Sequence, residues 1–282
     1  MNREMIGRYD LDLALPVLLV ILAESLIFAG YMQAAMIVHA LNLAFLILSS
    51  LYINNRIYPA LMLLPLFRLL NIAMPVFFQL TLYSYSLVYA PMFIPIYFVL
   101  KEGFVSPAEA GLTLKGFGFY MFLAVAVGFA LGWGEYNILH SVSLVPGPGL
   151  IYVLALSIIM IFFVGLVEEF VFRSVLQTVM QERLGSVAGL LVTSVLFGMM
   201  HSGYHLPLEL LFVSFAGIVF GLLFWLTRSL PVIALAHGVT NISLFLIEPD
   251  YSWLLIYLIV IPALLFVLTV ALVRTISLSV QD

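Results

Sequence analysis

Long apolar runs, broken by a few polar residues, set the elements expected along this chain. A membrane-crossing helix needs about 20 mostly apolar residues. On that measure the sequence predicts ten spans: 11–32, 34–53, 57–80, 84–101, 116–136, 150–174, 186–203, 207–227, 231–247 and 252–274. The third carries Pro65, Arg68, Asn71 and Pro75, so it is expected to be broken or partly interfacial. The first run continues through Met32 and lacks a small-residue cleavage site, so it reads as a retained span rather than a signal peptide. Lys101 to Gly116 is the one substantial polar linker, and Ser106-Pro107 marks the start of a short helix within it. These breaks divide the chain into 1–115, a front region of four spans plus linker; 116–248, a core; and 249–282, a last span and tail. No internal repeat, heptad pattern or Gly-rich phosphate loop is present.

Composition makes the membrane reading firm. Of 282 residues, 65% are hydrophobic and 9% charged, and the mean hydropathy is +1.22. A soluble domain is about half apolar and a quarter charged. The expected fold is therefore all-α, a polytopic transmembrane helix bundle with the lipid bilayer as its main solvent. A net charge of -4 is too small to suggest nucleic acid as a partner. The absence of cysteine excludes disulfides, thiolate metal sites and cysteine nucleophiles. Arg3, Arg8, Arg56, Lys101, Lys115, Arg183, Arg228 and Arg274 all fall on one side of the ten-span alternation. The opposite loops are expected to hold Glu135, the Pro146-Gly147-Pro148-Gly149 turn, Pro207, Glu209, Glu248 and Asp250. The positive-inside rule then places both termini in the cytoplasm, and the plasma membrane is the expected location.

The two remaining basic residues, Arg68 and Arg173, lie within apolar segments, as do Glu24, Glu168 and Glu169. Ionisable groups inside a span are expensive and usually mark function. Glu24 reads as a residue that bonds to a neighbouring helix or faces a wet cleft. The later clusters are Glu168-Glu169 with Arg173, then Phe197 to His201, then His237 to Asn241. Glu168 and His201 each lie 16 residues from the Leu184-Gly185 turn, a height of about 24 Å. An antiparallel pair would hold them at one depth. His237 and Asn241 share a helical face, at about 9 and 15 Å above Pro231. Tilt or a helix break must absorb that difference. Glu169 and Arg173 are spaced to form an i,i+4 ion pair. Glu168 lies about 100° round the helix and is left over, which suits a general base. Blander readings stand beside these. His201 and Asn241 can be interhelical glue, His205 interfacial, His39 and His140 structural, and Phe197 a packing residue.

Glu168-Glu169-x-x-x-Arg173, Phe197-x-x-x-His201 and His237-x-x-x-Asn241 together resemble the three-motif signature of the CAAX-protease and bacteriocin-processing family. Gly111-Leu112-Thr113 is similar to the short stretch that often precedes that domain. The resemblance covers about residues 117–247. It implies a glutamate-type intramembrane endopeptidase acting on a peptide or a lipid-modified protein. Glu168 would activate water with help from His201, and His237 and Asn241 would stabilise the oxyanion. Glu169, Arg173 and Phe197 would support them. No cofactor is expected. The chain lacks an H-E-x-x-H pair, although a Glu/His/His set could bind zinc. Two other classes compete: a non-enzymatic membrane protein for immunity or peptide binding, and a proton-coupled transporter using Glu168 and His201 as a relay.

Overall fold

A computed structural model describes residues 3–73, 81–144 and 150–246. These fold into helices and their connections, with no strand among the described residues. The tenth expected span, the Pro146–Gly149 turn, Pro75, Glu248 and Asp250 lie outside them. Among the described residues nine helices follow in order: α1 Arg3–Phe28, α2 Met32–Tyr52, α3 Ile57–Ala73, α4 Leu82–Lys101, α5 Phe117–Leu139, α6 Leu150–Leu184, α7 Ser186–Met199, α8 Pro207–Thr227 and α9 Leu230–Leu246. Six helical segments are long and apolar enough to cross a membrane: α2, α4, α5, α6, α7 with its following turn to Tyr204, and α8. Shorter apolar helices cover Leu13–Phe28, Ile57–Ala73 and Leu230–Leu246. The chain is a multi-pass integral membrane protein.

The ends of these helices follow from local chemistry. Pro207 sits in the first turn of α8, where its missing N–H is no loss. α5 and α8 end at His140 and Arg228, both left-handed at φ 49°. α4 is interrupted by a tight turn over Ala90–Met92, next to Pro91. Of the third expected span, the described residues hold α3. It runs unbroken through Pro65, and Ile57 to Leu61 and Leu63 to Pro65 are buried. Its Arg68 is buried against other helices. The outer loops need a correction. Glu135 lies in α5 and Glu209 in the first turn of α8, both buried. Their helices pack together.

α6 is not uniform. Its bonding widens to the i→i+5 pattern over Ile159–Gly165 and again over Phe170–Gln177. Between them lies a single α-helical turn, Leu166–Glu169. Such π stretches are rare and occur often at functional sites. A π stretch places more residues in each turn, so the chain rises less per residue. That lowers Glu168 towards the Leu184-Gly185 turn and reduces the depth mismatch with His237.

α9 is the packing centre of the back half. It lies against α5, α8 and the first π stretch and α turn of α6. Glycines allow that closeness, as in other membrane helix pairs. Gly128 and Gly132 of α5 abut the Ala236 and Thr240 carbonyls. A β-carbon at Gly165 would stand 2.7 Å from the Ala234 oxygen, and one at Gly238 would stand 2.7 Å from the Ile161 Cα. Gly132→Val should therefore push α5 off α9 and destabilise the protein by about 1–3 kcal/mol. Thermal melting in detergent measures this, and an unchanged midpoint would mean the contact is loose.

The linker after α4 is stitched down rather than free. Ser106-Pro107-Ala108-Glu109 closes as a capping box: the Ser106 N–H donates to Glu109 Oε2 at 2.7 Å and the Glu109 N–H to Ser106 Oγ at 3.2 Å. It forms one turn and not the short helix expected. The Ser106 hydroxyl and backbone N–H, with Arg56 adding less, hold the Glu109 carboxyl below the usual range. Arg56 also donates to Glu182 at 3.0 Å, so the α2–α3 connection, the linker and the end of α6 meet at one end of the bundle. Gly111, at φ 69°, accepts from the Leu230 N–H at 2.8 Å. Ser174 Oγ donates to the Ala110 carbonyl at 2.7 Å. The Gly111-Leu112-Thr113 stretch thus ties the start of α9 to α6.

Candidate active site

The α turn between the two π stretches presents both carboxylates inward. Glu168 is 5% exposed and Glu169 is fully buried. Glu169 Oε2 lies 3.1 Å from Arg173 Nε, one turn on. No Arg173 nitrogen is aligned for a hydrogen bond. Charge and π faces hold the guanidinium instead: its centre is 4.7 Å from the Phe197 ring and 5.9 Å from Phe172. The predicted pair forms, and Phe197 is part of what holds it.

Glu169 has a second partner that spacing on one helix could not show. Its Oε1 accepts from His237 Nδ1 at 2.7 Å. A carboxylate only accepts, so Nδ1 carries the proton and the ring is turned by Glu169. His237 Nε2 is then aimed at the other acid, 3.9 Å from Glu168 Oε2. His237 therefore belongs with the first cluster, which depth alone had only permitted.

His201 follows the end of α7. Its Nδ1 donates to the Phe197 carbonyl at 2.9 Å, which leaves Nε2 as the acceptor of the neutral ring. The Phe197 ring stands edge-on to both imidazoles, 5.1 Å from His201 and 5.8 Å from His237. Phe220 stacks on the far face of His237 at 5.1 Å. His201 and His237 thus rest on one aromatic ring, and Glu168 joins them through His237. Asn241 is one turn beyond His237 and half-buried. It shares that face by helical geometry and has no hydrogen bond to a described residue.

The front half also reaches this cluster. Tyr89, at the break in α4, donates its hydroxyl to Glu168 Oε1 at 2.5 Å. Phe67 of α3 packs edge-on against that ring at 5.3 Å. Glu168 Oε2 has no hydrogen-bond donor among the described residues. Tyr89 was missed because a tyrosine in an apolar span reads as packing; only its position before the Pro91 break hinted otherwise. The bland reading of Glu24 holds: it bonds to α2, α3 and the segment after α7. His205 is exposed and donates from Nδ1 to the Phe28 carbonyl at 2.9 Å, closing the end of α1. His39 is buried against Glu24. Among the described residues, no three His, Asp or Glu side chains are grouped to hold a metal ion.

No curated protein and no solved structure matches this chain. Residues 150–243, which carry all three polar clusters, match the family model described as type II CAAX prenyl endopeptidase Rce1-like.

Proposed function

We propose that the protein is an intramembrane endopeptidase that cleaves a membrane-associated peptide or lipid-modified protein with water activated by Glu168. One observation carries the reading. Glu168 is buried, Tyr89 holds one of its oxygens, and the other has no donor among the described residues and faces His237 Nε2 at 3.9 Å. A free carboxylate oxygen beside an oriented imidazole suits proton transfer from water.

The steps balance on this chain's own groups. Glu168 Oε2 takes a proton from water while His201 Nε2 accepts the other O–H and orients it. The hydroxide adds to the scissile carbonyl carbon. The Asn241 amide, and His237 through Nε2–H when protonated, donate to the developing oxyanion. Glu169 steadies that imidazolium through Nδ1–H, as a buried acid does in a triad. Glu168 then returns its proton to the leaving amine as the C–N bond breaks. In this reading residues 116–248 form the protease core, with the ten-span alternation putting both termini in the cytoplasm of a plasma-membrane protein. The meeting of Arg56, Glu109 and Glu182 at one end of the bundle supports that alternation.

The reaction is read as needing no metal. No H-E-x-x-H pair is present. The test uses full-length protein in detergent and a quenched peptide ending in a CAAX-type sequence, with and without a prenyl group on its cysteine. Cleavage that survives a strong chelator is expected, and it should be faster with the prenyl group. No cleavage of either peptide would reject the protease reading, and loss with chelator restored by zinc would reject the metal-free one. Tyr89→Phe should lower kcat by about tenfold, the worth of a hydrogen bond to a charged acceptor, with little change in KM. A turnover equal to wild type would remove Tyr89 from the mechanism.

A further inference from the structure

The front helices carry a second buried polar cluster that the mechanism above does not use. Glu24 of α1 is fully buried and Arg68 of α3 nearly so. Arg68 Nε and Nη2 donate to the two Glu24 oxygens, each at 2.7 Å. His39 of α2 donates from Nε2 to Glu24 Oε1 at 3.1 Å. A buried fork of this kind is rigid, because the guanidinium is planar and both oxygens are held.

Two further bonds leave the cluster, and they land on either side of His201. Ser202 Oγ donates to Glu24 Oε2 at 2.5 Å. Arg68 Nη2 also donates to the Met200 carbonyl. Met200 lies just past the last residue of α7, where a carbonyl has no partner within the helix. The chain there turns into a short 3-10 segment, Ser202–Tyr204. The histidine between these two anchors has only one described hydrogen bond of its own side chain, to Phe197.

We infer that Glu24 and Arg68 are positioning residues for His201: the ion pair of α1 and α3 grips residues 200 and 202 and so fixes where the imidazole stands. This rests on the proposed role of His201 and extends it. It also gives a task to α1 and α3, which lie outside the segment that matches the family. A reacting group displaced by about 1 Å loses on the order of a hundredfold in rate, so the grip acts on turnover and not on substrate binding.

The test compares Ser202→Ala and Arg68→Lys, in the wild type and in His201→Ala, all as full-length protein in detergent. Ser202→Ala removes one hydroxyl and no charge, so it reports even if Arg68→Lys fails to fold. Expected is a fall in kcat of about tenfold for Ser202→Ala and about a hundredfold for Arg68→Lys, with KM within about twofold. In the His201→Ala background both losses should shrink below about twofold, because the residue they act through is gone. Losses of full size in that background, or wild-type kcat in Ser202→Ala, would overturn the proposal. A readout without turnover separates this from the protease reading. In protein labelled with 15N-histidine, the His201 ring signals should shift or broaden in Ser202→Ala while those of His237 stay in place. If the wild type cleaves no peptide, the protease reading fails and the ring signals alone decide the grip. Unmoved His201 signals would reject it.

Discussion

Glu168→Gln should leave the bundle folded and lower peptide hydrolysis by about 10³-fold or more, within the range general-base catalysis contributes. The change keeps shape and volume, and the amide oxygen can still accept from Tyr89. What it removes is the basic lone pair on the oxygen that faces His237 at 3.9 Å. KM should hardly move, since binding is left intact and the loss falls on the transition state. Melting midpoints should match or slightly exceed wild type, because burying a neutral amide costs less than burying a carboxylate. Activity within tenfold of wild type would mean that another group activates water. Glu169→Gln gives the contrast. It can still accept from His237 Nδ1 but offers no charge to Arg173 or to a protonated His237, so partial activity is expected.

The largest loss of stability should come from Arg173→Ala. This guanidinium is fully buried, lies 3.1 Å from Glu169 and packs 4.7 Å from the Phe197 ring. Truncation removes the charge that faces Glu169 and leaves a void among Phe172, Phe197 and Glu169. Breaking a buried pair by deleting one partner costs about 3–5 kcal/mol. The same truncation frees Phe197, on which both imidazoles rest, so activity should fall even where the protein survives extraction. Fluorescence-detected size exclusion and thermal melting read the stability directly. A variant that melts with wild type would show that the pair is dispensable and that His237 alone satisfies Glu169.

These two residues mark where one-dimensional reasoning reached. The Glu169–Arg173 pair follows from i,i+4 spacing, and its contact at 3.1 Å appears as spaced. The separation of Glu168 from it follows from the same helix geometry. The bond from His237 to Glu169 did not follow. A helix of constant rise would leave His237 well short of Glu168 in depth, whereas α6 changes its bonding pattern on both sides of the acidic turn. A change from i→i+4 to i→i+5 bonding leaves little trace in an apolar run, because Ile, Phe and Val suit either.

Apolar run length, the near-absence of charge and the three polar motifs were enough to point to a helical membrane protein and to single out residues 168, 201, 237 and 241 as candidates, because desolvation makes every intramembrane charge conspicuous. Side-chain contacts decided the rest. Tyr89 on the acid, Phe197 between the imidazoles, and the Glu24–Arg68 fork around residues 200 and 202 each join helices far apart in the chain. No local pattern encodes which lipid-soluble helix packs on which, since their apolar faces are nearly interchangeable. Small residues such as Gly132 and Gly165 make the choice by letting particular backbones touch, and that choice exists only in three dimensions.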